Sequence, residues 1–491
     1  DAPLLPSEHH KSDAERLVED DRNTPTDKFH AVKIIMALLG MGVLLPWNMV
    51  TSAGDYFNGK FPGRNPMFLI PLLYNLPAVP TMLVMLGCGG KFSCFFSTRL
   101  LLTFFFDAVI LVCIPLVPVV FPNVEAAFVI VLCLATLFGC ITSVMQSSVF
   151  AFAGQLPQEY VGAVMFGNGI AGIAATALSM ITQGVLPNTD KGKLESAIMY
   201  FSIGCVILIV CGVSYVFLVR HEFAIHHLKD RDAEVSDADG SYGGMEVGGE
   251  KDEDPMHPPA GAEGGNKALS TPFRGSMLAE KQRLAAARGA SEEDGALAPE
   301  TPRWRSASEG RCPAGLARLL KVFSAVWIES LTVFAVFGVS LALFPGLFFV
   351  LPYRGAMGDA INDTWWHLIL VMGFNVFDTL GRTLPKYARC IPRKALLVPT
   401  VLRLAFVPLF VCSVIYPVFN DWIVLFIVVV FSVSNGYLST LGMMYGAATG
   451  NTLSDDERGL AGLVTSTALQ CGIFVGLALA NVFSTLQPVR D

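Results

Sequence analysis

The chain has 491 residues, 53% of them hydrophobic and only 15% charged, with a formal net charge of −7. Soluble domains carry about a quarter charged residues, so the composition excludes an ordinary cytosolic enzyme. The charge is also uneven: residues 1–33 and 220–321 hold 45 of the 75 charged side chains, leaving 30 for the other 356 residues. This is the pattern of an all-α polytopic membrane protein with two solvated segments. No basic stripe with interleaved aromatics is present, so nucleic acid is not expected as a partner.

Residues 1–32 form an acidic tail without the basic start and apolar core of a signal peptide, and the expectation is that it stays in the cytoplasm. Apolar stretches near or above about 18 residues, enough to cross a bilayer as a helix, follow at 33–55, 66–88, 97–120, 124–150, 161–186, 194–219, 322–351, 364–385, 394–417, 420–446 and 459–486. They predict eleven transmembrane helices in a six-plus-five arrangement. An N-terminal bundle over 33–219 and a C-terminal bundle over 322–486 flank the polar segment 220–321.

That segment is rich in Gly, Ala, Asp, Glu and Pro and too poor in large apolar side chains to offset its ordering entropy, which predicts disorder. Residues 280–288 have the pattern of a short surface helix, and His226, His227 and His257 read as solvated. Orientation follows from the loop cations. Lys91, Arg99, Lys386, Arg389, Arg393, Lys394 and Arg458, with the flanks of the long loop, outnumber Lys60, Arg64, Lys191, Lys193 and Arg354. The N-terminus is then cytoplasmic and residues 487–491 are extracellular. The sequon at Asn362 falls in an outer loop as a weak glycosylation candidate.

Within the spans the polar residues carry the information, because an ionisable group costs about 2.5–3.5 kcal/mol at mid-membrane. Span one contains Leu44-Leu45-Pro46-Trp47-Asn48, where proline removes a backbone donor and kinks the helix. Trp47 brings a stacking face and Asn48 an amide, while Asp55 lies near the outer end. Asp107 lies in span three. Gln146 is a mid-span amide of span four, and Asn168 another in span five. Asn168 belongs to a formal GxGxxG, but a nucleotide fingerprint needs a strand and a soluble βαβ unit. Inside a membrane helix the glycines read instead as close-packing positions, as do Gly442, Gly446, Gly472 and Gly476.

Glu329 lies about two turns into span seven. In span eight Asp378 and Arg382 stand four residues apart on one helix face, with Asn375 a turn earlier. Such a pair either locks two helices or lines a polar translocation cavity, and the two roles are compatible. Arg403 in span nine reads as structural, snorkelling inward or meeting an acid such as Asp107 or Glu329.

Nothing implies a cofactor or metal. Nine of eleven cysteines lie in or beside apolar runs without CxxC or zinc-ligand spacing. No Walker loop, selectivity filter or nucleophile–base pair appears, so the chain reads as a gradient-driven carrier and not an enzyme. A sugar or a nucleobase would suit the stacking ring, amides and charge pair. A receptor or scaffold working through the long loop is the alternative from another class.

At these residues the sequence resembles the equilibrative nucleoside transporter family. The matching segments are Leu44-Leu45-Pro46-Trp47-Asn48, Gln146 with its flanks, and Phe374-Asn375-x-x-Asp378-x-x-Gly381-Arg382. Arg403-x-x-Phe406-x-Pro408-Leu409 and Asn435-Gly436-Tyr437-Leu438 follow in the family's order. The resemblance implies a fold similar to the major facilitator architecture and alternating access between the two bundles. It also implies that Leu44, Trp47 and Gln146 contact the nucleoside or base, with Thr51 as a wall residue one turn beyond Trp47. Asp378 and Arg382 would handle its polar groups or hold the geometry. The style is similar to the protozoan branch, implying a monomeric plasma-membrane carrier of purine nucleosides or nucleobases, facilitative or driven by protons. Span four departs from the family in having Ser147-Ser148.

Overall fold

The computed structural model describes residues 27–64, 66–87, 96–185, 190–224, 314–344, 346–358, 363–416, 418–448, 453 and 455–483. All belong to one of the two units into which the chain divides; the other, Gly240–Cys312, lies outside the described residues. So do most of the N-terminal tail and of the long loop, with its 280–288 segment and its histidines, as well as Asn362 and the C-terminal residues from 484.

The described residues form fourteen α-helices with short 3-10 turns and no strands. In chain order they are α1 (Ala31–Ser52), α2 (Gly54–Lys60), α3 (Pro66–Asn75), α4 (Ala78–Gly87), α5 (Phe96–Val120), α6 (Val124–Gln155) and α7 (Gln158–Val185). Then follow α8 (Asp190–Leu218), α9 (Ala314–Leu343), α10 (Asp363–Tyr387), α11 (Leu397–Leu402), α12 (Phe406–Ile415), α13 (Asp421–Ala448) and α14 (Asp455–Phe483).

Ten helical stretches among the described residues are long and apolar enough to cross a membrane. Two are interrupted: Leu69–Gly87 combines α3 and α4, and Arg393–Ile415 combines α11 and α12 with 3-10 turns. The expected spans 66–88 and 394–417 are therefore not single rods. The expected span 364–385 corresponds to α10, which has 25 residues but is not one of the ten. The polar residues that mark it, His367, Asn375, Asp378 and Arg382, are also what makes it less apolar. The helix of the expected span 322–351 runs from Ala314 to Leu343.

Local chemistry explains several helix ends. The Asp27 carboxylate accepts from Val32 N at 3.0 Å and Lys33 N at 3.2 Å, satisfying donors that the first turn of α1 leaves open. The Asn123 side chain caps α6 by accepting from Glu125 N and Ala126 N.

Apolar side chains cover both the inside and the outside. One core joins α1 and α3 to α8 around Phe104, Phe138, Phe150 and Phe201. A second, in the C-terminal half, is built on Phe348, Phe374, Phe410 and Phe431. Yet Phe105 and Phe106 on α5 are 61% and 47% exposed, and Ile209, Val213 and Phe217 on α8 and Phe426 on α13 also face outward. An apolar exterior of this extent fits a surface solvated by lipid tails and not by water.

Across the two halves, α6 and α4 pack on α14, and α7 packs on α10 and α13. Glycines permit the closest approaches. A Cβ on Gly154 of α6 would lie 2.8 Å from Arg458 O, and one on Gly462 of α14 would meet Phe150 O. The glycines of the α7 motif do what membrane packing requires: Gly167 abuts Ala37 O of α1, and Gly169 and Gly172 abut α10. Gly442, Gly446, Gly472 and Gly476 sit likewise against α9 or α14 neighbours.

Candidate functional site

The charge pair of α10 is formed and buried. Arg382 Nε donates to Asp378 Oδ2 at 2.7 Å, and the two side chains are 3% and 6% exposed. Its other carboxylate oxygen, Oδ1, accepts from Asn435 Nδ2 of α13 at 2.7 Å. Gly381 and Gly436 make this possible, since α10 and α13 backbones touch where a side chain would intrude. Asn435 Oδ1 in turn accepts from Ser340 Oγ of α9 at 2.6 Å, and Ser340 accepts from Arg403 Nη2 at 2.7 Å. A continuous polar chain therefore crosses the C-terminal half, from Arg382 to Arg403. Replacing Asn435 by leucine should strand Asp378 Oδ1 and cost about 1–3 kcal/mol, the penalty for a buried acceptor without a donor. Thermal unfolding in detergent measures it.

Arg403 does not snorkel, nor does it meet Asp107 or Glu329. It is 2% exposed, bonds Phe431 O at 2.9 Å and Ser434 Oγ, and lies 4.7 Å from the centroid of the Phe431 ring. Glu329 is fully buried and paired with Arg393. The ring face and hydroxyls provide what an acid was expected to provide.

The same α10 residues reach α7 in the other half. Arg382 Nη1 donates to Met165 O at 3.2 Å and approaches Met165 Sδ at 3.9 Å. Asn168 Nδ2 lies 3.9 Å from that same sulfur. Asn375 Nδ2 donates to Thr176 Oγ1 at 2.8 Å and Gly172 O at 3.3 Å. Asn168, Asn375, Asp378 and Arg382 thus gather along the α7–α10 seam, so the pair both locks helices and lies at the interface between halves.

The second group lies in the N-terminal half. Trp47 is half-buried, and its ring sits 5.4 Å from that of Tyr74 on α3. Tyr74 packs edge-on against Phe138 of α6. Thr142, one turn on from Phe138, bonds Asp107, and Gln146 follows one turn later on the same face. Leu44 is half-buried against the same core. Asn48 and Thr51 bond within their own helix, Asn48 Nδ2 to Leu44 O at 2.9 Å and Thr51 Oγ1 to Trp47 O at 3.0 Å. The side chain of Asp55 lies outside the described residues.

Among the described residues three buried amide atoms have no hydrogen-bond partner: Oε1 of Gln158, at the start of α7, and, farther along their helices, Nε2 of Gln146 and Oδ1 of Asn168. The last two belong to the residues that the sequence marked. Of these two, one is a donor and the other an acceptor, in residues 6% and 5% exposed. Unpaired buried amides are costly and uncommon. Sequence reasoning left out Tyr74 and the Asn75–Gln470 bond (3.1 Å) that joins α3 to α14, and it gave Asn435 no role in the site. Each is a polar group in an apolar span, which was the available signal.

A helical molecule of two halves around a polar seam is the architecture of a membrane carrier. The solved major facilitator superfamily proton:xylose symporter XylE, bound to 6-bromo-6-deoxy-D-glucose, has a similar fold, with a TM-score of 0.56, 10% identity, and coverage of 93% of this chain and 89% of that one. The Nucleoside transporter family model matches residues 129–485, and the chain belongs to that family. It is 27% identical over 498 residues to equilibrative nucleoside transporter 2 of Rattus norvegicus, covering 94% of this chain and 99% of the relative. Identity is 24% over 465 residues to equilibrative nucleotide transporter 1 of Arabidopsis thaliana, covering 94% and 87%. Nucleoside transporter 1.1 of Leishmania donovani is 24% identical over 481 residues, covering 93% and 94%. The protein is a multi-pass membrane carrier, not an enzyme.

Proposed function

We propose that the chain moves purine nucleosides or nucleobases across the plasma membrane by alternating access, as a monomer of eleven spans. The count includes α10, whose buried ion pair offsets its lower apolarity. The bundles are 33–219 and 322–486, joined by the cytoplasmic segment 220–321; the N-terminal tail 1–32 is cytoplasmic and residues 487–491 are extracellular. The carrying observation is the unpaired Gln146 Nε2 donor and Asn168 Oδ1 acceptor. A solute that carries an acceptor and a donor supplies a partner for each, and a purine ring adds the flat face that Trp47 stacks on. Leu44 and Thr51 wall the base, while Asn48, Asn375, Asp378 and Arg382 hold the polar end. The Leishmania relative, called a nucleoside transporter, is consistent with this reading.

Uptake of labelled adenosine, inosine, guanosine, hypoxanthine and adenine in a transport-null cell tests it. Saturable uptake of at least one is expected, and uptake of none overturns the reading. In the same assay Trp47→Ala should raise KM more than it lowers the maximal rate. Losing one stacked base–aromatic contact is worth about 1–3 kcal/mol, or up to roughly a hundredfold in affinity.

A further inference from the structure

Asp107 sits in the middle of α5 and is wholly buried, while Phe105 and Phe106 beside it face outward. Its Oδ2 accepts from Thr142 Oγ1 at 3.1 Å, and its Oδ1 has no hydrogen-bond partner. A lone carboxylate with one donor and no cation is among the most expensive groups to leave charged in an apolar interior. A proton placed on the vacant oxygen removes that cost. Neither the charge pair of α10 nor the proposed site uses this group.

Its surroundings are otherwise free of charge. From α3 the Tyr74 ring packs on Phe138, one turn before Thr142 on α6. From α6 it meets only the Thr142 hydroxyl. On α8, Cys211 packs at the level of Phe104, and Tyr215 faces Arg99, about two turns toward the start of α5. On α1, Lys33 is engaged by Glu159. Among the described residues no basic side chain pairs with Asp107.

Position links this acid to the rest of the carrier. Thr142 and Gln146 are one turn apart on α6, and the Tyr74 ring lies against Trp47. The next residue after Tyr74, Asn75, accepts from Gln470 of α14, the bond that crosses between halves. Asp107 is thus joined through Thr142 to the face of α6 that carries Gln146, and through Phe138 and Tyr74 it neighbours the inter-half contact.

We propose that Asp107 is a proton-binding site of the carrier, loaded and emptied once per transport cycle. The inference rests on the carrier reading above. Asp107 Oδ1 accepts one proton from hydronium on the side to which the site is open. It returns that proton to water on the opposite side; no bond to the transported solute forms or breaks. Solute and proton then move together.

The test measures uptake of whichever purine the panel identifies, and substrate-evoked current, from acid to alkaline medium. Wild type should lose uptake as the medium becomes alkaline, by up to about tenfold per pH unit beyond the midpoint for one titrating proton, and should carry inward current. Asp107→Asn, an isostere of the protonated acid, should reach the membrane, retain saturable uptake, and lose both the pH dependence and the current. Asp107→Glu should keep both. Thr142→Val removes the donor to the charged form, so its midpoint should move to more alkaline pH. It supplies the test should Asp107→Asn not reach the membrane. A wild type that transports purines with no current and no pH dependence overturns the proton site and leaves the carrier reading intact. So does Asp107→Asn with the wild-type profile, or Thr142→Val with an unmoved midpoint. Absence of uptake of every purine by wild type overturns the purine reading, and the purine–proton coupling with it.

Discussion

Replacing Asp378 by alanine should abolish uptake and lower the amount of folded carrier. The substitution removes the carboxylate that pairs with Arg382, whose side chain is 3% exposed, and it also takes the acceptor from Asn435. Breaking a buried pair by removing one partner costs about 3–5 kcal/mol, because the remaining charge stays buried without compensation. For a carrier with the usual stability of about 5–15 kcal/mol, that is a large share. The double replacement Asp378→Asn with Arg382→Gln keeps the shapes and removes both charges. It should recover much of the surface abundance while leaving uptake lost. Surface biotinylation separates the two effects. A double variant that transports at the wild-type rate would show that the charges are needed for folding alone.

The pair was legible in the sequence because two charges four residues apart in an apolar helix have one common physical reading. Its partners were not. Asn435, Ser340 and Arg403 lie on three other helices, and no spacing rule brings residues that distant in sequence together. Proline was a poor guide to where spans break. Pro46, Pro115 and Pro118 sit inside continuous helices, whereas Pro77 falls where α3 ends and α4 has not begun. The donor that proline lacks matters only if neighbouring groups do not compensate. The helix of span seven also begins before its apolar stretch: α9 starts eight residues earlier, where Lys321 reaches Glu457 of α14 at 2.8 Å. Hydropathy marks the lipid boundary, and the helix runs past it.

The glycines were legible as packing residues but not as to which of them lie between halves, and that distinction sets the second large effect. Gly462→Val puts a branched side chain against Phe150 O and within reach of Gly154 Cα, at the end where α6 stops and α14 begins. Both backbones are helical there, so neither yields by a rotamer change. Overpacking of this kind costs about 1–3 kcal/mol, and here the strain is relieved by moving one half away from the other. The expected variant is folded, held apart at this end, and reduced in uptake by about tenfold or more, as about 1.4 kcal/mol against the closed arrangement requires. A cysteine introduced at Ala151, whose carbonyl lies against Gly459, should then react faster with a membrane-impermeant thiol reagent. Gly338→Ala is the contrast, because a Cβ there meets only Gly472 O at 3.7 Å, within the C-terminal half. It should leave uptake unchanged and add up to about 1 kcal/mol of stability from helix propensity. If Gly462→Val transports normally, the α6–α14 contact does not have to close during the cycle, and the α7–α10 seam with Asn375 and Arg382 would carry alternation alone.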